Sequence, residues 1–308
     1  MSDRSALVLT AAPESGHLTE TLIQSALAVL DAISPEARWL SQGDAWEATF
    51  EAPQDRPVSH IRNAVIAALS AAPIDVNVVS GATGPRRKRL LCADMESTII
   101  EQELIDEMAS LAGCRTEISE ITAAAMRGEL DFQDSLRQRV ALFSGFEAYR
   151  LEELLERATF MPGAKTLVAT MRANGAWTAL ITGGFTLFAE RIAADLGCHA
   201  VIANALEIDN GQLLGLVREP IVGPQEKADA LRRLVLEGGL MAAETMAVGD
   251  GANDTAMLAG AGLGVAFRAK PILAAQAQAA ENGAVIQHGD LTALLYLQGY
   301  SRTEFVIG

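Results

Sequence analysis

The segment Arg87-Lys-Arg-Leu-Leu-Cys-Ala-Asp-Met-Glu-Ser-Thr98 leaves few folds open to this chain. Leu90, Leu91, Cys92 and Ala93 form a short unbroken apolar run, which reads as a strand buried on both faces. Such strands belong to parallel sheets covered by helices. The run gives way abruptly to Asp94, Glu96, Ser97 and Thr98. Two carboxylates two residues apart, followed by two hydroxyls, are poorly suited to a core and well suited to a metal and a phosphate. In an open α/β sheet, ligands bind where the strands end at their carboxyl side. Asp94 is therefore the candidate nucleophile or metal ligand, and the remaining groups of a site should gather around it.

The first convincing linker is Ser80-Gly-Ala-Thr-Gly-Pro85, which separates residues 1–84 from residues 85–308. Before it, apolar spacing predicts strands over residues 6–12, 37–40, 45–50 and 74–79 and helices over residues 18–32 and 58–69. The order β-α-β-β-α-β is the split βαβ pattern of a small ferredoxin-like α+β domain. In element order, without a shared motif, it resembles the ACT-like regulatory domains of metabolic enzymes. That resemblance implies a small-molecule effector or a dimerising role. Trp39, Trp46, His17 and His60 read as packing or surface residues.

Beyond the linker, helical patterns are expected over residues 99–112, 116–127, 132–142 and 147–158. Residues 103–158 hold more helix than the layer covering a sheet needs, and a lid over the strand ends would use it. The α/β alternation then resumes: a helix to residue 174, a strand over 177–182, a helix over 185–196, and two extended segments around Asp209-Asn-Gly211. A helix opened by Lys227, strands over 244–248 and 263–267, a helix from Lys270-Pro271 and a short element at 293–296 complete the chain. The fold class expected for residues 85–308 is a doubly wound, mostly parallel α/β sheet with a helical cap insertion.

Charge and cysteine content narrow what the site can serve. With 24 Lys plus Arg against 39 Asp plus Glu, the net charge of −15 argues against a nucleic-acid partner. A carboxylate-held cation would still attract an anionic ester locally. No stretch approaches the ~20 apolar residues that span a bilayer, and the first residues do not read as a signal sequence. Cys92, Cys114 and Cys198 are odd in number and lack ligand-like spacing. A reducing, cytoplasmic setting without a membrane partner is expected.

Further polar groups fall at later strand ends. Thr182 precedes Gly183-Gly184, Lys227 lies at a helix start, and Gly249-Asp-Gly-Ala-Asn-Asp254 supplies Asp250, Asn253 and Asp254. Hard carboxylate oxygens suit Mg²⁺. Phosphoryl transfer needs neutralised oxygens and aligned groups, and a carboxylate nucleophile can split it into two steps. No Walker A or dinucleotide fingerprint is present.

The ordered set Asp-x-Glu-Ser-Thr, Thr-Gly-Gly-Phe, Lys and Gly-Asp-Gly-x-Asn-Asp resembles the haloacid dehalogenase (HAD) superfamily, specifically its phosphoserine phosphatases, over about residues 88–297. The resemblance implies a HAD-like fold and hydrolysis of O-phospho-L-serine, a small phosphomonoester, as the last step of serine biosynthesis. By it, Asp94 attacks phosphorus. Mg²⁺ is held by Asp94, the carbonyl of Glu96 and Asp250. Glu96 protonates the leaving oxygen and then activates water. Thr182, Gly183, Lys227 and Asn253 serve the phosphoryl group, and Asp254 orients Lys227 or the metal shell. Glu103 falls where the substrate ammonium is read and Arg139 where its carboxylate is read, while Met126 and Phe132 fall at apolar positions of the lid pocket. Read without the family, Arg139 is an exposed helix residue and Met126 and Phe132 are ordinary core. A homodimer is implied only by the habit of appended regulatory domains.

Two residues depart from the family pattern, Glu96 standing for its usual aspartate and Thr182 for its usual serine. Glutamate is one methylene longer, so reach rather than acidity is at issue. Other readings of the same residues are a phosphatase or phosphotransferase for another small phosphomonoester, and a non-catalytic phospho-ligand sensor.

Overall fold

Two sheets form, and their sequences explain why they differ in kind. The first comprises β1 (Arg4–Ala11), α1 (Glu20–Leu30), β2 (Glu36–Ser41), β3 (Ala45–Glu51), α2 (Val58–Leu69) and β4 (Ile74–Val79). The computed structural model describes residues 4–30, 33–52, 57–69 and 72–308, so the last two residues of the helix expected over 18–32 lie outside the described residues. The strand order is β2-β3-β1-β4, with β1 antiparallel to both neighbours. That is the expected split βαβ arrangement. Alternation along β1 sends Leu7 and Leu9 to the face packed by Ile23, Ala26 and Leu30 of α1 and by Ile61 and Val65 of α2. Ala6 and Val8 point the other way and join the main core of the remaining chain. Both faces of this small sheet are therefore covered. Trp46 is core, whereas His17 and His60 are exposed.

The second sheet begins with β5 (Leu90–Ala93), buried at all four residues. Four helices follow before the next strand: α3 (Leu104–Ala112), α4 (Arg115–Met126), α5 (Phe132–Ala141) and α6 (Arg150–Arg157). Then come α7 (Ala164–Ala173), β6 (Trp177–Phe185), α8 (Thr186–Leu196), β7 (Ala200–Asp209), β8 (Gln212–Arg218), α9 (Pro224–Glu237) and β9 (Thr245–Gly249). The chain closes with α10 (Thr255–Gly260), β10 (Leu263–Phe267), α11 (Pro271–Ala279), β11 (Gly283–Ile286) and α12 (Ala293–Leu297).

The order is β11-β10-β9-β5-β6-β7-β8, parallel except where β8 returns against β7. Asn210 and Gly211 both take positive φ in the β7–β8 turn, the geometry that right-handed strand twist favours in a hairpin. With β5 flanked by β9 and β6, the loops leaving these three strands meet at one edge. The expected doubly wound sheet with a helical insertion is the fold observed.

Two expectations shift. The helix expected from residue 99 starts only at Leu104. Ser97 adopts a left-handed conformation, Ile99 and Ile100 both donate to the Met95 carbonyl, and Ile100 bridges Phe160 on the returning chain. Long-range pairing thus overrides helical spacing. β11, a four-residue edge strand, was not apparent in the apolar pattern, because Gly283-Ala-Val-Ile is too short to declare a period.

The two sheets are joined by buried polar contacts. The Asp75 carboxylate accepts the backbone N–H groups of Gln287, His288 and Gly289 at 2.8, 3.1 and 2.8 Å. The Asn77 amide pairs with both backbone groups of Val285, and Arg62 donates to the carbonyls of Gly283 and Gln278. Asp75→Ala leaves three donors without their acceptor and is expected to cost about 2–3 kcal/mol. In urea unfolding, Trp39 and Trp46 fluorescence should then report an early transition separated from loss of the large sheet. A single transition at the original midpoint would show that this joint contributes little.

Candidate active site

The candidate side chains come from four elements, β5, β6, α9 and β9. Asp94 follows β5 and is fixed by its own N–H, which donates to the Val248 carbonyl of β9 at 3.0 Å. Thr182 lies where the β6–β7 register shifts between Ile181 and Phe185. Lys227 sits in the first turn of α9, where Pro224 occupies the first helical position and Glu226 caps the Gly223 N–H. Asp250 and Asp254 follow β9.

The Lys227 side chain is 0% exposed, and its Nζ donates to Asp94 Oδ1 and Asp254 Oδ1, each at 2.7 Å. Burial alone would lower its pKa, but Asp94 and Asp254 outweigh that and raise it, so the ammonium stays charged. Burial, and then Asp94, push the Asp254 carboxyl above the usual range against the pull of Lys227. Asp254 Oδ2 accepts the Gly251 N–H at 3.2 Å, so both of its oxygens are engaged.

One oxygen from each of Asp94, Asp250 and Asp254 lies within 4.8 Å of the others, a hard-donor cluster that fits Mg²⁺. Asp254 has both oxygens committed to Lys227 and Gly251, whereas Asp94 gives only Oδ1 to Lys227, so Asp94 and Asp250 are the two that could hold such an ion. Lys270 faces this cluster, with Nζ 3.6 Å from Asp250 Oδ2 and its N–H donating to the Asp250 carbonyl.

The Glu96 carboxylate is held from two sides. Its Oε1 accepts the Leu104 N–H at the start of α3, at 2.8 Å, and the other oxygen lies against Gly184. Desolvation first, then Glu103 and Asp94, push the carboxyl up to about 8, while the Leu104 N–H and Lys227 pull it down. A Cβ on Gly184 would stand 2.9 Å from Glu96 Oε2. Gly184→Ala is expected to displace that carboxyl and to lower kcat about a hundredfold with KM little changed, as steady-state kinetics will show. An unchanged kcat would mean that Glu96 need not hold this position.

The Thr182 hydroxyl accepts the Gly184 N–H at 2.9 Å, leaving its proton free to donate into the cavity. Asp94, Glu96, Thr182, Gly183, Asp250 and Asn253 line a cavity of about 200 Å³ together with Glu103, Phe132 and Arg139 of the helical insertion. The Phe132 ring packs 3.2 Å from where a Cβ on Gly183 would stand, so α5 closes directly on the β6 loop. Glu103 accepts the Ser97 hydroxyl at 2.8 Å. Among the described residues the Arg139 guanidinium donates only to the Ser135 carbonyl, through Nε, which leaves its outer nitrogens available at the cavity wall.

Met126 is the exception among the expected site residues. It is 83% exposed and does not line the cavity, because it is the last residue of α4, a helix that buries only Ile118. The sequence reading also missed Lys270, taken only as a helix start, and Asn204. The Asn204 amide ties the Gly183 carbonyl to both backbone groups of Val222, locking the β6 loop to the approach of α9. A lone asparagine on a strand carries no pattern that would have revealed this. The basic residue beside Pro271, following a strand that borders the acidic loop, was a usable signal for Lys270.

The fold and the cluster define a class: a capped, doubly wound α/β protein with a metal-type carboxylate site at the ends of its central strands. A family model described as haloacid dehalogenase-like hydrolase matches residues 91–259. The phosphoserine phosphatase of Streptomyces coelicolor is 41% identical over 244 residues, 79% of this chain and 58% of that protein. This chain therefore spans little more than half the length of that relative. The phosphoserine phosphatase of Idiomarina loihiensis is 48% identical over 193 residues, 63% of this chain and 88% of that one. The solved structure of a probable phosphoserine phosphatase from Vibrio cholerae superposes with a TM-score of 0.77 at 32% identity, covering 97% of this chain and 88% of that one. The chain belongs to the phosphoserine phosphatase family of the haloacid dehalogenase-like hydrolases. Among the described residues, no helix is long and apolar enough to cross a membrane.

Proposed function

We propose that the protein hydrolyses O-phospho-L-serine to L-serine and phosphate through an aspartyl-phosphate on Asp94. The observation that carries this reading is the lining of one cavity by a lysine-paired aspartate, a second carboxylate, and the Glu103 and Arg139 side chains of the insertion. Phosphoserine presents a phosphate, an ammonium and a carboxylate, and the cavity offers a partner for each.

In the first step an Asp94 oxygen forms a bond to phosphorus as the bond to the serine oxygen breaks. Glu96 gives its proton to that leaving oxygen. In the second step Glu96 takes a proton from water as the water oxygen attacks phosphorus, releasing phosphate and restoring the Asp94 carboxylate. Lys227 offsets the repulsion between carboxylate and phosphate, and Asp254 holds Lys227 in place. Thr182, Gly183 and Asn253 bind phosphoryl oxygens. Mg²⁺ would be held by Asp94, Asp250 and the Glu96 carbonyl, where it supplies charge neutralisation for the phosphoryl oxygens.

Glu103 receives the ammonium, and Arg139 makes a planar two-point contact with the carboxylate that lysine would not reproduce. Phe132 closes the pocket. Residues 103–158 act as the cap over residues 85–308. Residues 1–84 form an ACT-like unit, for which a homodimer contact and a small-molecule effector remain part of the proposal. A cleft of about 290 Å³ between α2, β4 and residues 285–288 supports the effector.

The test is phosphate release from L-phosphoserine, phosphothreonine, phosphoethanolamine and p-nitrophenyl phosphate, each with Mg²⁺ and with chelator. Selective, Mg²⁺-dependent release from L-phosphoserine is expected. Arg139→Ala should lower kcat/KM for phosphoserine by about a hundredfold, since a buried ion partner is lost, and leave p-nitrophenyl phosphate within a few-fold. Equal losses on both substrates would make Arg139 scaffolding or a phosphate ligand. No release from any of the four would remove the enzymatic reading.

A further inference from the structure

The amino ends of β5 and β6, opposite the ends that carry Asp94 and Thr182, open on a second cleft of about 520 Å³. Arg89, Arg172, Trp177, His199, Leu234 and Leu240 form its working walls. Nothing in the proposed reaction uses it: Trp177 and Thr182 are five residues apart on an extended strand, roughly 17 Å.

Three features give this cleft a definite chemistry. Trp177 is 50% exposed, a large apolar surface left open to water, and it stacks on the His199 ring at 4.4 Å and 20°. His199 Nδ1 accepts the backbone N–H of Thr178 at 3.1 Å. That N–H can only donate, so Nδ1 is unprotonated and the neutral ring carries its proton on Nε2, as a donor. Burial, and then Arg172, lower the His199 pKa and favour this neutral form.

The charge is supplied by Arg172. Among the described residues its guanidinium makes no hydrogen bond or ion pair, and it packs over Gly197, where a Cβ would overlap Nη1. Gly197 takes a left-handed conformation at the end of α8, which suits a residue without a Cβ and leaves that space to the guanidinium. The neighbouring charges are matched: Arg89 meets Glu244 at 3.0 Å, and Glu237 on the same wall meets Arg233 at 3.8 Å. One uncommitted cation, exposed and lying over Gly197 in a chain of net charge −15, therefore stands beside an open indole and the apolar side chains of Leu234 and Leu240.

We propose that this cleft binds a planar aromatic carboxylate, its ring against Trp177 and the two leucines and its carboxylate on the Arg172 guanidinium. The ligand needs both parts. A ring alone leaves Arg172 unmatched, and a carboxylate alone leaves the indole wet. The proposal stands on the cleft's own geometry and does not depend on the substrate of the main site.

Calorimetric titration of the full chain with 2-naphthoate tests it, in the presence of saturating inorganic phosphate to occupy the Asp94 site. One equivalent should bind. The neutral 2-naphthalenemethanol and the non-aromatic acetate should each bind about tenfold more weakly or less, in keeping with loss of a cation contact or of the ring surface. Arg172→Gln and Trp177→Ala should each weaken 2-naphthoate binding about tenfold, and Arg172→Lys should recover part of the loss. Phosphate release from phosphoserine and thermal unfolding, measured in parallel, show whether each variant is folded. Four results would overturn the proposal: no binding of 2-naphthoate, binding abolished by phosphate, equal binding of the neutral alcohol, or affinities unchanged in both variants. Sedimentation showing a dimer that Trp177→Ala dissociates would also overturn it, since a second copy of the chain would then fill the cleft.

Discussion

Asp94→Asn is expected to stop turnover, lowering kcat on the order of 10⁴-fold or more, while leaving the fold and the substrate pocket standing. The amide oxygen can still accept from Lys227 Nζ, which keeps its second partner in Asp254 at 2.7 Å. The buried ammonium is therefore not stranded, and thermal unfolding should move little. Asparagine is a very poor nucleophile here, because its carbonyl oxygen is neutral and a bond to phosphorus would leave positive charge on the amide, whereas a carboxylate attacks as an anion. Acid-quenched protein from labelled phosphoserine should lose its radiolabel entirely, and calorimetry should still detect phosphoserine. A variant that turns over and still traps labelled phosphate would remove Asp94 as the nucleophile.

Lys227→Met is expected to damage stability and chemistry together. The ammonium lies between Asp94 and Asp254, fully buried, and methionine fills much of its volume without its charge. Two carboxylates then face each other with no counter-charge, which typically costs about 3–5 kcal/mol at neutral pH. The pH dependence has a definite sign. Burial already raises Asp254, and removing Lys227 takes away the charge that pulls it down, so that carboxyl rises further above its unfolded value. Between the unfolded and the folded pKa, the native state then binds more protons than the unfolded state, so stability falls as pH rises through that window. Urea unfolding should show a large deficit against the unaltered protein at pH 8 and a smaller one at pH 5, where protonation relieves the repulsion. A deficit that does not change with pH would mean that packing around Lys227, rather than its charge, holds this part of the core. Lys227→Arg is not expected to rescue, since the pocket is closed around a lysine-sized chain and the guanidinium fork is wider.

The two variants separate roles that the site fuses. The first removes the proposed attacking oxygen and keeps the electrostatic frame. The second dismantles the frame, and with it the orientation of Asp94, so its kinetic loss carries a structural contribution that only the stability measurement can apportion.

What could be read from the residues follows from where chemistry imposes local order. Asp94 and Glu96 are two residues apart, Asp250 to Asp254 are contiguous, and Thr182 precedes paired glycines, because a loop that closes on a phosphate needs particular residue types at short spacing. The strands that carry them are short apolar runs, and the order of runs and helical patterns was enough for the parallel sheet and the insertion. Position along the chain could not say that the Glu96 carboxylate lies between Gly184 and the Leu104 N–H, nor that α3 waits until Leu104 because Ile100 pairs with Phe160. Met126 was placed by the family resemblance alone, and the tertiary path of α4 sends it to solvent.

The sequence by itself determined the sheet and named the candidate reacting groups that it presents, since both depend on patterns spanning a few residues. Only the tertiary structure decided that Lys227 lies between Asp94 and Asp254 while Asp250 meets Lys270, that Asn204 borders the site, and that Arg172 stands uncommitted beside Trp177. Those outcomes rest on distances between residues far apart in the chain, set by how whole elements pack, and no local pattern encodes them.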